Sequence, residues 1–255
     1  VIYKRNKLFL WILGMVIFLL LVPGNISGVP GKGASDAEPQ NEDSANEESV
    51  SGEFQNEKDG LAADFVVELE VTDGDTAARK SKGSGVICEI SDEISVVTAA
   101  HVLSSRTEED VLTVRFSDGE VLECIDVTVA ADADLAFLRL ETSELPEKTL
   151  ARLCEAETDK ESYDSLAAGD AVSAMGYRDG SLAVYDGQVT DSWIYVEDFA
   201  QYMILAECEI YEGMSGGALC DADGRLLGIL CGGNEQGELV AVPWHVVQAK
   251  LMDAE

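Results

Sequence analysis

Between residues 65 and 243 the apolar residues come in short runs, none long enough to make an extended helix. The runs include FVVELEV (65–71), ISVVTAA (94–100), LTVRF (112–116), DLAFLRL (134–140), AVSAMGY (171–177), YMILAECEI (202–210), RLLGILC (225–231) and ELVAVP (238–243). Turn-forming groups separate them, among them Ser117-Asp118-Gly119, Arg178-Asp179-Gly180 and Asp221-Ala222-Asp223-Gly224. Many short strands punctuated in this way predict an all-β barrel or sandwich. Only residues 243–252 depart from the pattern. They open with Pro243 and space Trp244, Val247 and Leu251 as one face of a terminal helix.

The segments before residue 62 have a different texture. Lys4, Arg5 and Lys7 precede an apolar run over residues 8–22. Positive charge followed by an apolar run is the pattern of membrane targeting. Residues 1–28 are therefore expected to be a hydrophobic helix, either an uncleaved anchor or a cleaved signal, with the rest of the chain outside the cytoplasmic membrane. From Asp36 to Asp59 there are nine acidic residues and one basic residue, Lys58. Such a segment buries too little apolar surface to offset its ordering entropy. Residues 29–61 are expected to be a disordered acidic linker, and residues 62–255 the folded domain.

Over the whole chain 49 Asp and Glu stand against 17 Lys and Arg, a net charge of −32. That balance repels nucleic acid and excludes it as a partner. The six cysteines show no C-x-x-C spacing, and His101 and His245 are the only histidines. No structural zinc, other metal or cofactor is expected. Most of the cysteines lie inside apolar runs, where a free thiol behaves as a small hydrophobe. Asp221-Ala222-Asp223-Gly224 lacks the later ligands of a calcium loop and reads as a hairpin turn.

Three segments carry possible chemistry. VVTAAH ends a β run in small residues and then His101. ADLAFL opens one with Asp134. GMSGGAL sets Ser215 among Gly213, Gly216 and Gly217. Glycines at those offsets let the backbone turn so that the N–H groups of Gly213 and Ser215 converge, with Met214 between them, as an oxyanion hole requires. The order His, Asp, Ser, each in a β context, is that of the chymotrypsin-type triad.

With those motifs in place, GSGVI, VVTAAHVL, ADLAFLRL, GMSGGAL…GRLLGIL and LVAVPWHVV together resemble the HtrA/Deg branch of the trypsin-like serine proteases. The resemblance covers about residues 62–252. It implies two packed six-stranded β-barrels, a break between them near residues 145–170, and a catalytic cleft between the barrels. Carried over, Ser215 is the nucleophile, His101 the general base and acid, and Asp134 the residue that orients the imidazole. Cys231-Gly232-Gly233 corresponds to the strand that pairs with extended substrate. Glu209, six residues before Ser215, falls near the base of the S1 pocket, where a carboxylate would favour Lys or Arg; alternatively it faces solvent. The residue before Ser215 is Met214, so no zymogen cleavage is expected to be needed. The 40 residues after Ser215 leave no room for a PDZ domain, and a PDZ-less protease domain is the expectation. The substrates implied are proteins or peptides outside the cytoplasm. A non-catalytic peptide-binding module on the same fold is the competing reading. The oligomeric state stays open, with a monomer favoured by the acidic linker.

Overall fold

The computed structural model describes residues 2–3, 64–234 and 236–254. The expected hydrophobic segment and acidic linker lie outside those residues, apart from a two-residue strand, β1 (Ile2–Tyr3). Among the described residues no helix is long and apolar enough to cross a membrane.

The domain is all-β, built from two sheets in chain order. The first contains β2 (Val66–Thr72), β3 (Arg79–Ile90), β4 (Glu93–Thr98), β5 (Val111–Arg115), β6 (Val121–Glu123), β7 (Asp126–Val129) and β8 (Ala136–Glu141). Its order is β6-β5-β2-β3-β4-β8-β7, with every pair antiparallel. Alternation places Val67, Leu69 and Val71 of β2 on one buried face with Leu112 and Val114 of β5.

The second sheet contains β9 (Ala171–Arg178), β10 (Ser181–Val196), β11 (Gln201–Glu207), β12 (Ala218–Asp221), β13 (Leu226–Gly233) and β14 (Glu238–Pro243). Its order is β10-β11-β14-β13-β12-β9, and β9 pairs back onto β10. That pairing closes a six-stranded barrel, and β1 lies parallel to the far end of β10. The β9–β10 hairpin turns on Asp179 and Gly180, whose φ angles of +52° and +79° suit a tight two-residue turn. The Asp221–Gly224 segment is also a turn, with the Asp221 carboxylate accepting the N–H groups of Asp223 and Arg225.

The expectation of two six-stranded barrels needs correction in the first half. That half is a seven-stranded half-barrel sheet, and no ladder joins its edges. The edge strands β6 and β7 are successive parts of one segment that bends at Cys124 and Ile125. There the Cys124 N–H bonds Leu112 O of β5, and the Ile125 N–H bonds Arg139 O of β8. The segment pairs with β5 before the bend and with β8 after it, so the two ends of the sheet meet through that bend and not through a ladder between β6 and β7.

Residues 142–170 cross between the halves through two short helices, α1 (Glu147–Leu150) and α2 (Lys160–Asp164). The closed barrel is buried inside and on its outer face. Val172, Ala174, Ile204, Ala206, Leu219, Leu227 and Leu239 fill its interior. Met175, Met203, Leu205, Ile229 and Val240 join the core shared with the first sheet. Strands β2 and β3 pack directly against β9. The terminal helix, α3 (Trp244–Ala254), begins after Pro243 as the spacing predicted and buries Trp244 and Val247. Its Lys250 pairs with Asp132 at 2.7 Å, tying the end of the chain to the loop before β8.

Candidate active site

His101 lies in a single 3-10 turn, Ala100–Leu103, immediately after β4. Asp134 lies two residues before β8. Strands β4 and β8 are paired, with Thr98 opposite Ala136, so sheet register alone sets the two residues side by side. The contact is double. Asp134 Oδ2 is 2.7 Å from His101 Nδ1, and Oδ1 accepts the His101 backbone N–H at 2.9 Å. Two bonds to one carboxylate fix the ring's position and orientation. An ionised Asp134 keeps the proton on Nδ1 and leaves a lone pair on Nε2. Nε2 is buried and, among the described residues, Ser215 included, has no hydrogen-bond partner.

Ser215 comes from the other half, on the turn between β11 and β12. Gly213 and Gly216 take φ angles of +97° and +86°, a region that favours glycine. Space demands glycine as well. A Cβ on Gly216 would overlap the Ser84 carbonyl and the Thr98 hydroxyl, and one on Gly217 would overlap Met175 O. The Ser215–Gly216 backbone therefore touches the end of β4, just before His101. Gly83 marks the same convergence, since a Cβ there would meet both the Val102 side chain and Ser215 O.

Within this turn the Met214 N–H bonds Tyr211 O at 3.1 Å, and the Met214 side chain is fully buried in the closed barrel. Met214 is thus an anchor of the turn, and its amide is not available to a ligand. Among the described residues, no acceptor pairs with the N–H of Gly213 or of Ser215.

Ser84 of β3 joins the parts. It is fully buried, and each of its polar groups is used. Its N–H donates to Ser215 O at 2.8 Å, and its hydroxyl donates to Gly213 O at 2.8 Å. The same hydroxyl accepts the Tyr177 N–H, and its carbonyl accepts the Thr98 hydroxyl, each at 2.7 Å. One residue thereby links β3 to β4, β9 and the Ser215 turn. The sequence held no local sign of this, beyond a serine set between two glycines in an apolar strand.

A family model described as "Trypsin-like peptidase domain" matches residues 83–229, which spans everything from Gly83 to Ile229 and so includes all three of these segments. The chain belongs to the trypsin-like peptidase family. Within that family its relatives include a probable periplasmic serine endoprotease, DegP-like, of Halomonas elongata, 31% identical over 162 residues. Another is the periplasmic serine endoprotease DegP of Escherichia coli K12, 31% identical over 151 residues. The matched regions cover 61% and 58% of this chain but 30% and 29% of those relatives. The matched region is thus similar to the peptidase portion of those two relatives.

In this trypsin-like domain, Cys231, Gly232 and Gly233 end β13. The Leu230 N–H bonds Gly217 O and the Gly216 N–H bonds Leu230 O, which ties β13 to the serine turn. Beyond Leu230 the strand pairs with β14 alone, through Gly232 and Gly233, after a register shift. Its other edge is open to an extended chain. The Cys231 side chain turns inward, fully buried, with Sγ 3.9 Å from Asp134 O. Burial, and then the adjacent Asp134 carboxylate, push this thiol well above its ordinary value, so it stays protonated. Cys88, Cys124, Cys154, Cys208 and Cys231 form no disulfide.

Glu209 is exposed and accepts a hydrogen bond from the Tyr211 hydroxyl at 2.7 Å. That bond is the main reason the phenol's pKa is raised. The neighbour of the open β13 edge is Ile210, whose side chain occupies the space a Cβ on Gly233 would need.

Proposed function

We propose that this chain is a serine endopeptidase that cleaves proteins or peptides outside the cytoplasm through His101, Asp134 and Ser215. The observation that carries this reading is the doubly bonded His101–Asp134 pair, whose buried Nε2 lacks a partner among the described residues beside the glycine turn bearing Ser215. Ser215 Oγ attacks the scissile carbonyl while Nε2 takes its proton. Asp134 stabilises the imidazolium that forms, and Nε2 then returns the proton to the leaving amine. The unpaired N–H groups of Gly213 and Ser215 bind the oxyanion. The acyl part of the substrate pairs with the open edge of Cys231–Gly233.

The first-pocket preference in this proposal is for small or medium apolar side chains. Ile210 borders the Gly233 edge, whereas Glu209 is exposed and occupied by Tyr211. Action outside the cytoplasm is supported by the relatives named periplasmic and by the basic-then-apolar N-terminus. In this proposal that N-terminus is the membrane attachment or export signal.

The test is labelling of the full chain with a fluorophosphonate beside Ser215→Ala, followed by digestion of unfolded casein. Labelling and digestion by the parent alone are expected. A parent that neither labels nor digests would move the assignment to a peptide-binding module.

A further inference from the structure

The serine turn has two flanks. On one side, the Gly216–Leu230 bond leads to the open edge of β13, where the acyl part of an extended substrate would lie. On the other, the Ser84–Ser215 bond leads to β3. A chain passing Ser215 in extended form must carry its leaving part along β3. Lys82 is the first charged residue met there. Its Cε lies 3.7 Å from the Cβ position of Gly213, the proposed oxyanion donor.

Lys82 is also loosely held. Arg79 and Lys80 of the same strand are tied to Glu70 and Asp110 at 2.8 and 2.7 Å. Among the described residues Lys82 reaches only Asp179 Oδ1, at 3.4 Å, and that carboxylate is 82% exposed on the tip of the β9–β10 hairpin. Beside it, the Arg178 guanidinium sits 3.7 Å above the Tyr211 ring. Arg178 also donates to the Tyr185 hydroxyl at 2.9 Å, which leaves Lys82 as the loosely held cation beside the serine turn.

We propose that Lys82 is a specificity determinant that selects an Asp or Glu at the first or second position after the scissile bond. The proposal rests on the peptidase reading above. The substrate carboxylate displaces the exposed Asp179 from the ammonium group, which sits partly shielded and so loses little of its attraction to solvent screening. A substrate Lys or Arg at the same place meets like charge.

The experiment digests a peptide library of proteome-derived sequences with the full chain. Mass spectrometry then reads the frequencies of Asp/Glu and Lys/Arg just after each cut. Because a ratio is read, partial loss of active enzyme in a variant does not distort it. The parent is expected to favour acidic over basic residues by about tenfold. Lys82→Glu should reverse that order. Asp179→Asn removes the competing carboxylate and keeps a residue suited to a positive φ, so it should sharpen the preference for acid. Fluorophosphonate labelling runs beside each digest. Labelling without discrimination, or discrimination unchanged in Lys82→Glu, overturns this proposal alone. Absence of labelling in the parent overturns the peptidase reading and this proposal with it.

Discussion

The two halves of the domain supply the site in different ways. The first sheet delivers His101 and Asp134 already joined, because neighbouring strands carry them and their register sets the distance. The closed barrel delivers Ser215 on a turn between β11 and β12 that two bonds tie to Leu230 of β13. Glycines shape that turn, and it is fastened to the first half by one serine, Ser84. The His101–Asp134 pair is therefore a product of sheet pairing, and the position of Ser215 is a product of the contact between halves. Damage to either half should show a different signature.

The largest effect should come from Ser215→Ala, which removes the nucleophile and no packing. Turnover should fall by about 10⁶, with the thermal midpoint nearly unchanged; a large fall in midpoint would mean that the hydroxyl also holds the turn. Next, Asp134→Asn keeps the shape of the pair but reverses what Nδ1 meets, so kcat should drop by about 10⁴. An activity loss of less than tenfold would show that the His101–Asp134 contact does not set the tautomer.

Ser84→Ala tests the joint between the halves. It leaves Gly213 O and the Tyr177 N–H buried without their partner. Urea unfolding should lose about 2–4 kcal/mol, and kcat should fall while the His101–Asp134 pair stays intact by NMR. An unchanged kcat would remove Ser84 from the account of the turn.

The smallest effect concerns charge in the first half alone. Lys80, and then the Thr107 N–H, hold the Asp110 carboxyl down at about 2, from an ordinary value of 3.8. A depressed carboxyl stabilises the fold above its unfolded pKa, and that contribution fades as pH falls through the folded value. Stability supplied by Asp110 should thus be complete above about pH 4 and vanish toward pH 2. The midpoints of the parent and Asp110→Asn should differ at pH 6 and converge near pH 2. A constant gap would show that Asp110 acts through packing.

Legibility in the sequence divides along the same line. Alternation and turn residues made the strands, the Asp179-Gly180 hairpin and the spacing of the terminal helix legible, because these are local. His101, Asp134 and Ser215 were legible as motifs. Ser84 was not, since its partners Gly213 and Tyr177 lie 129 and 93 residues away. The failure of the first sheet to close was also hidden. It depends on which strands Cys124 and Ile125 reach, and no residue type announces that. Whether Glu209 or Ile210 borders the Gly233 edge could not be read by alternation, because both come after the end of β11 in irregular chain.

The central claim is that parts from both halves meet at one reacting centre. A crystal structure of the fluorophosphonate-treated protein tests it most directly. The account predicts phosphorus bonded to Ser215 Oγ, the phosphoryl oxygen accepting from the N–H groups of Gly213 and Ser215, and His101 Nε2 within about 3.2 Å of an oxygen on phosphorus. An adduct on another residue, or one whose oxygen points away from those amides with His101 out of reach, would contradict it.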